Sequence, residues 1–185
     1  GISSAASDVY KRQIKNKDKD NFWIVDPIDG TTNFLNGVPH FCISIALLFE
    51  KEIIAGVIYD PIKDELFYAE KKGGSYLNNK SIRVSKKNNI SDCLYGVNFR
   101  KNLPENLIIR NTGSAALDLA YVSCGRFDVC LEKNVNLWDI AAGTVLIKEA
   151  GGVVDNFEFK EFNKISIKAS NERVSGDLNK KINIF

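Results

Sequence analysis

The sequence of 185 residues contains no methionine, one histidine, four prolines and four cysteines. The single histidine, His40, has no cysteine near it, and no two cysteines form a Cys-x-x-Cys pair, so the sequence argues against a zinc site. The longest apolar run, residues 41–49, is too short to span a bilayer and is typical of a buried strand. Basic residues outnumber acidic ones by only 25 to 23, and this balance does not favour direct binding of nucleic acid or of an anionic membrane.

The composition is that of one globular domain. Hydrophobic residues make up 44% of the chain and charged residues 26%, which excludes a collagen, a coiled coil and a disordered tail. A chain of this length can bury a substantial core. No basic stretch leads into an apolar segment as in a secretory signal, and the cysteines are expected to be buried, reduced thiols. We therefore expect a cytoplasmic protein.

The first thirteen residues differ in character from the rest of the chain. Residues 3–13 resemble the in-frame translation of a transposase adapter used in sequencing libraries, and their alanine-rich start contrasts with the Lys-, Asn- and Ile-rich sequence that begins at Ile14. We expect residues 1–13 to be adapter-derived and residues 14–185 to be a truncated domain. The alternative is a native N-terminal arm, and the source DNA would distinguish the two.

Hydrophobic periodicity predicts a mixed domain with strands first and helices later. Strands are predicted at residues 22–25, 41–50, 53–59, 64–71, 75–77, 82–84, 93–97, 127–131, 153–154 and 165–169. Helices are predicted at residues 114–124, 138–150 and 172–182. The chain shows no internal repeat and no long linker. This order predicts layered packing of helices and sheets rather than a regular βαβ alternation.

The segment from Trp23 to Phe34 contains the residues that most clearly indicate chemistry. Asp26 is predicted at the point where an apolar strand stops, and Asp29 follows three residues later. Two carboxylates held this close repel each other unless cations lie between them. The backbone carbonyl of Ile28 adds a further oxygen, and a set of hard oxygen ligands suits Mg²⁺.

Two further features extend this pattern. Gly30 and Thr31 begin a predicted helix, whose free amides can bind an anion. Asp139 stands at the start of another apolar helix, within residues 137–143. Taken alone, each acidic segment is also explained by helix capping and a turn. Metal ligands, an anion site and a hydroxyl within a few residues indicate phosphate chemistry.

Together these segments resemble the inositol monophosphatase family of lithium-sensitive, magnesium-dependent sugar phosphatases, and most of all its bacterial members. Residues 23–34 resemble the first signature of the family, residues 138–152 the second, and residues 113–128 the segment between them. The resemblance extends from Phe22 to the C-terminus. It implies an α+β fold, a layered α-β-α-β-α sandwich of the inositol monophosphatase and fructose bisphosphatase type, with residues 14–185 a truncated catalytic domain that lacks the first helices.

The resemblance also implies a metal site and a substrate site. Asp26 would bridge two Mg²⁺ ions, the Ile28 carbonyl would complete the first site, and Asp29 and Asp139 would hold the second ion. Asp29 and Thr31 would be catalytic, with the Thr31 hydroxyl orienting the attacking water. The residues implied to bind substrate are Gly30, Thr31, Gly113, Ser114, Ala115, Glu132 and Asp139. The implied reaction is in-line hydrolysis of a phosphomonoester, most simply myo-inositol monophosphate, without a phosphoenzyme.

One part of the family pattern is missing. The family places a metal-binding Glu before the Asp26 motif, where this chain has its adapter-like residues, and Asp18 and Asp20 are too close to Asp26 to replace it. We therefore expect this chain to bind Mg²⁺ weakly and to have little phosphatase activity, whereas a longer parent would be active.

Two kinds of alternative function remain open. Relatives that act on 3′-phosphoadenosine nucleotides, histidinol phosphate or fructose bisphosphate share the metal motif. Other bacterial relatives act as non-catalytic partners in ribosomal RNA transcription complexes. The expected partner of this chain is a small sugar or polyol phosphate, with no membrane, no direct nucleic-acid contact and a homodimer as the implied oligomer.

Overall fold

The computed structural model describes residues 21–155 and 165–182. A six-stranded sheet comes first in the chain. Its strands β1–β6 are Asn21–Asp29, Cys42–Phe49, Glu52–Asp60, Glu65–Glu70, Gly74–Leu77 and Lys80–Ser81. They lie in the order of the chain and each pairs antiparallel with the next. The predicted hairpin between β2 and β3 is confirmed, and Glu50 and Lys51 form its turn with positive φ angles of 48° and 66°.

A five-stranded mixed sheet follows. Its strands β7–β11 are Leu94–Val97, Ile108–Arg110, Val129–Val135, Gly152–Asp155 and Ile165–Asn171. They are ordered β10-β11-β9-β7-β8. Strand β7 runs parallel to both β8 and β9, whereas β11 pairs antiparallel with β9 and β10. A short 3₁₀ helix, Ile90–Asp92, precedes β7.

Four α-helices lie in the described residues, and two of them fill the space between the sheets. The helices α1–α4 are Thr31–Leu35, Ala115–Ser123, Leu137–Glu149 and Glu172–Lys181. Helices α2 and α3 pack against each other and contact strands of both sheets. Helix α4 packs through Val174 and Leu178 against β7 and β9 in a second, smaller core. The order sheet, helix pair, sheet, helix confirms the predicted layered α+β fold.

The face of the six-stranded sheet that is turned away from α2 and α3 is apolar and exposed. Side chains alternate along β1, so Ile24 is buried while Trp23 and Val25 are 56% and 46% exposed. On β2, Ile43 and Phe49 are exposed as well. The prediction that the first helices are missing concerns residues ahead of β1, which lie outside the described residues.

Several sequence-based predictions need correction. Residues 82–84 do not form a strand; the strand here is β6, and the amides of Ile82 and Val84 bond to carbonyls of Ser75 and Ala150. Strand β8 was not predicted, because it has only three residues and is at the edge of its sheet.

The four cysteines are free thiols. None of the helices in the described part of the chain is long and apolar enough to cross a membrane.

Candidate active site

A β-bulge in β1 brings the first two acidic residues together. Asp26 pairs with Ser44 and Asp29 with Cys42, so three steps along β1 match two along β2. In a regular strand residues three apart point to opposite faces, but the extra residue turns Asp26 and Asp29 to the same side, where both are buried. The strand does not stop at Asp26, as the sequence suggested; it continues through Pro27 to Asp29.

Hydrogen bonds hold one oxygen of each carboxylate. The Ile28 amide donates to Oδ1 of Asp26 at 3.1 Å. The Ser114 hydroxyl and the Ala116 amide donate to Oδ2 of Asp29 at 2.5 and 2.9 Å. The bond from Ala116 places Asp29 at the amino end of α2, where the helix dipole favours negative charge.

Asp139 is held in the same way from the start of α3. The backbone amide of Asn136 donates to its Oδ2 at 2.8 Å, and the Asn136 side-chain amide donates to the same oxygen at 3.2 Å. Asp139 therefore belongs to a capping box, and the capping explanation of this residue is correct for one of its oxygens. The second oxygen receives neither bond, so capping and a ligand role are compatible.

The three carboxylates form one cluster. Ligand oxygens of Asp26, Asp29 and Asp139 all lie within 4.8 Å of one another. Nearby, the Thr31 hydroxyl donates to the Ile28 carbonyl at 2.9 Å, which places that carbonyl and hydroxyl beside each other. The predicted ligands are thus brought together from two separate parts of the chain, by a bulge and a short turn within residues 26–31 and by the start of α3.

Burial raises the pKa values of two members of the cluster, Asp29 and Asp139. Burial raises the pKa of Asp29 to about 6, against the lowering effect of the bonds from Ser114 and Ala116. Burial raises the pKa of Asp139 to about 7, and the charges of Asp29 and Asp26 add to the rise while the Asn136 amide opposes it. These carboxylates repel one another, and the described residues that line the cavity include no cationic side chain to balance them.

The cluster opens into a cavity of about 280 Å³. The described residues that line it include no Lys, Arg or His. All the residues that the sequence predicted for the site line it: Asp26, Ile28, Asp29, Gly30, Thr31, Gly113, Ser114, Ala115, Glu132 and Asp139. The structure therefore brings every predicted site residue to one place, while their individual roles stay predictions.

The segment before α2 is fixed against α1 by Asn33. The Asn33 side-chain amide donates to the carbonyls of His40 and Thr112, both at 2.8 Å. Gly113 has a φ of 83°, and a Cβ atom there would lie 3.0 Å from Asn33 Nδ2. Glycine thus allows both the backbone conformation and the close approach at this position.

One residue of the site, Asp118, was missed from the sequence. It lies in α2 with 2% of its surface exposed and lines the same cavity. Thr112 donates to its Oδ1 at 2.7 Å, and Gly96 of β7 makes room for the carboxyl, since a Cβ there would lie 2.8 Å from Oδ2. The available signal was a single acid within an apolar helix, between Leu117 and Leu119.

Asp118 and Glu132 form a second acidic group that lines the same cavity. Burial raises the pKa of Asp118 to about 8, against the bond from Thr112, and the charge of Asp29 adds to the rise. Glu132 is 2% exposed, and burial together with the charges of Asp118 and Asp29 raises its pKa well above the usual range. Five acidic side chains thus face one cavity.

The fold and the site define a member of a known phosphatase family. The Inositol monophosphatase family matches residues 3–183, which is nearly the whole chain, and the chain belongs to this family. The segment 1–13, predicted to be adapter-derived, lies outside the described residues, and its origin stays a prediction.

Individual relatives support this assignment. An inositol-1-monophosphatase of Rhizobium meliloti is 46% identical over 155 residues, which is 76% of this chain and 58% of that protein. The Nus factor SuhB of Xylella fastidiosa is 41% identical over 74% of this chain and 55% of its own length. The solved structure of extragenic suppressor protein suhB from Bartonella henselae matches with a TM-score of 0.83 and 42% identity, over 90% of this chain and 74% of that one. The chain thus spans less than two thirds of the curated relatives named here.

Proposed function

We propose that the chain is the catalytic part of a Mg²⁺-dependent phosphomonoesterase. The observation that carries the proposal is the cluster of Asp26, Asp29 and Asp139, with ligand oxygens within 4.8 Å and one oxygen of each carboxylate already held by a hydrogen bond. Such anchoring orients the remaining oxygen toward a ligand. Burial raises the pKa values of Asp29 and Asp139, and the described residues that line the cavity include no basic side chain. A bound cation would balance the negative charge of these acids.

The donor set fits Mg²⁺. Every candidate ligand atom is a hard oxygen: the carboxylates of Asp26, Asp29 and Asp139 and the carbonyl of Ile28. When bound there, Mg²⁺ would lower the pKa of a water molecule and balance the negative charge that develops on the leaving oxygen.

The side chains around the cluster have separable tasks in this proposal. The Thr31 hydroxyl donates its hydrogen to the Ile28 carbonyl, so its oxygen remains an acceptor for a hydrogen of the attacking water. The backbone amides of Gly30 and Thr31 bind the phosphate, which suits their position on the cavity wall. Glu132 and the segment Gly113–Ala115, which line the same cavity, bind the alcohol part of the substrate.

The proposed substrate is a myo-inositol monophosphate. The support is the family membership, together with a cavity that is lined by hydrogen-bonding groups such as Ser114, Asp118 and Glu132. A panel of myo-inositol 1-phosphate, fructose 1,6-bisphosphate, histidinol phosphate and 3′-phosphoadenosine 5′-phosphate separates this substrate from the alternatives. The proposal predicts the highest kcat/KM for the inositol phosphate; a higher value for another substrate would reassign the specificity.

Phosphate release is the direct test of the activity. The assay uses micromolar protein and millimolar Mg²⁺, so that slow phosphate release is also detected. The proposal predicts phosphate release that EDTA abolishes and that Asp29→Asn reduces by at least about 100-fold. Release that persists in EDTA or in Asp29→Asn, or no release above that variant, would contradict it.

A second candidate function follows from the name of one relative. The Xylella protein is called a Nus factor, which favours a role as a partner in transcription complexes. The two functions separate in a pull-down with transcription factors: a partner role predicts that Asp29→Asn keeps its binding while it loses hydrolysis. No binding by the wild-type chain that hydrolyses phosphate would favour the enzyme alone.

A further inference from the structure

The carboxylate of Asp29 is held from the side of α2 rather than by its own strand. Its Oδ2 accepts the Ser114 hydroxyl at 2.5 Å and the Ala116 amide at 2.9 Å, and the Cys42 thiol lies 3.9 Å from the same oxygen. Asp29 is 7% exposed and Ser114 is 2% exposed. Water therefore does not compete for this bond, and a buried bond to a charged group is among the stronger hydrogen bonds in proteins.

Ser114 also lines the cavity, beside the acidic cluster. The segment Gly113–Ala115 lines the cavity, and Asn33 fixes its start by donating to the Thr112 carbonyl. The same Ser114 hydroxyl accepts the Leu117 amide at 3.3 Å and so caps α2. One hydroxyl thus connects the helix start, the wall of the cavity and Asp29.

Resting on the function proposed above, we propose that Ser114 is a positioning residue that couples the cation site to the substrate site. Its hydroxyl fixes the carboxylate of Asp29 in one orientation, and Asp29 in turn fixes the backbone of residues 113–115. A cation on Asp29 and a phosphate on the amides of Gly30 and Thr31, which directly follow Asp29 in the chain, then favour the same arrangement of one buried hydrogen bond. Each ligand therefore binds more tightly when the other is present, because such coupling is reciprocal.

If Ser114 only capped α2, its replacement would have a different effect. Loss of a cap lowers the stability of the fold, but it leaves the cation affinity of the folded protein unchanged. A suitable comparison residue is Asn171, which caps α4 by accepting the amides of Arg173 and Val174 at 2.9 and 3.2 Å and does not line the cavity. Asn171→Ala thus removes a cap without touching Asp29.

The test is a titration of the 185-residue chain with Mn²⁺ alone, followed by the EPR signal of free Mn²⁺, and its repetition in inorganic phosphate. Ser114→Ala is expected to weaken Mn²⁺ binding by about 10-fold and to remove the tightening that phosphate produces. Ser114→Thr keeps the hydroxyl and is expected to restore both. Asn171→Ala is expected to lower the Tm and to leave the Mn²⁺ affinity at the wild-type value.

Ser114→Gly provides a second variant in case the alanine variant does not fold, since glycine is a tolerated cap residue that also lacks the hydroxyl. It is expected to bind Mn²⁺ as weakly as Ser114→Ala. Wild-type affinity and an unchanged phosphate effect in either folded variant would overturn the positioning role. Wild-type binding no tighter than that of Asp29→Asn would overturn the proposed function itself, so the two failures are distinguishable.

Discussion

Two groups of buried acids face the same cavity, and they differ in how their oxygens are held. Asp26, Asp29 and Asp139 lie within 4.8 Å of one another, and a backbone amide holds one oxygen of each. Asp118 and Glu132 are as deeply buried, but Asp118 is held by the side chain of Thr112, and neither belongs to the cluster of possible ligands.

The difference shows what distinguishes a cation site from a group of buried acidic side chains. Burial disfavours the charged form and raises pKa values in both groups, those of Asp29 and Asp139 in the first and those of Asp118 and Glu132 in the second. Only the first group combines short mutual distances with fixed orientations, so only there can a cation meet several oxygens at once. The second group is suited to stay protonated and to bind hydroxyl groups of a substrate.

The largest effect is expected from Asp139→Asn, which removes a member of the first group. Hydrolysis is expected to fall by at least about 100-fold, because a ligand oxygen and its charge are lost together. The same change is expected to raise the Tm in EDTA, because it relieves the repulsion by Asp26 and Asp29 that the fold otherwise bears. Phosphate release and thermal melting of the same preparation measure both. A lower Tm with unchanged activity would contradict the distinction between the two groups of acids.

The smallest effect on cation binding is expected from Asp118→Asn in the second group. The amide can still accept the bond from Thr112, and the Mn²⁺ affinity is expected to change by less than about threefold because no ligand is removed. EPR titration against the wild-type chain measures this affinity. A loss as large as that of Asp139→Asn would show that the two groups act as one site.

The stability of the same variant should depend on pH in a defined direction. Between the unfolded pKa of 3.8 and the folded value of about 8, wild-type Asp118 keeps in the folded state a proton that the unfolded chain has lost. Its contribution to stability therefore falls as pH rises through this interval, and asparagine has no such dependence. Denaturant unfolding in EDTA is expected to show Asp118→Asn more stable by roughly 2–5 kcal/mol near pH 8 and by much less near pH 5. Equal differences in stability at both pH values would contradict a raised pKa of Asp118 in the folded protein.

The sequence identified the members of the site better than the way they are held. The spacing of Asp26 and Asp29 and the helix start at Asp139 were recognised as possible ligands, and all three meet in the structure. The bulge that turns Asp26 and Asp29 to one side was not predicted, because it depends on the register between β1 and β2. A strand that stops at Asp26 fitted the apolar pattern equally well.

Long-range contacts explain what the sequence could not provide. Asp118 enters the cavity only because Gly96, from a distant strand, leaves space for its carboxyl. Ser114 was expected to bind substrate, and its bond to Asp29 joins residues 85 positions apart. No local pattern encodes either contact, whereas helix starts and strand alternation are local and were largely predicted.

Whether a cation binds at the three-carboxylate cluster is tested most directly by anomalous diffraction from crystals of the chain soaked in millimolar Mn²⁺. The account predicts anomalous density between the carboxylates of Asp26, Asp29 and Asp139, and none between Asp118 and Glu132. A cation bound by Asp118 and Glu132, or no density at the three-carboxylate cluster, would contradict it.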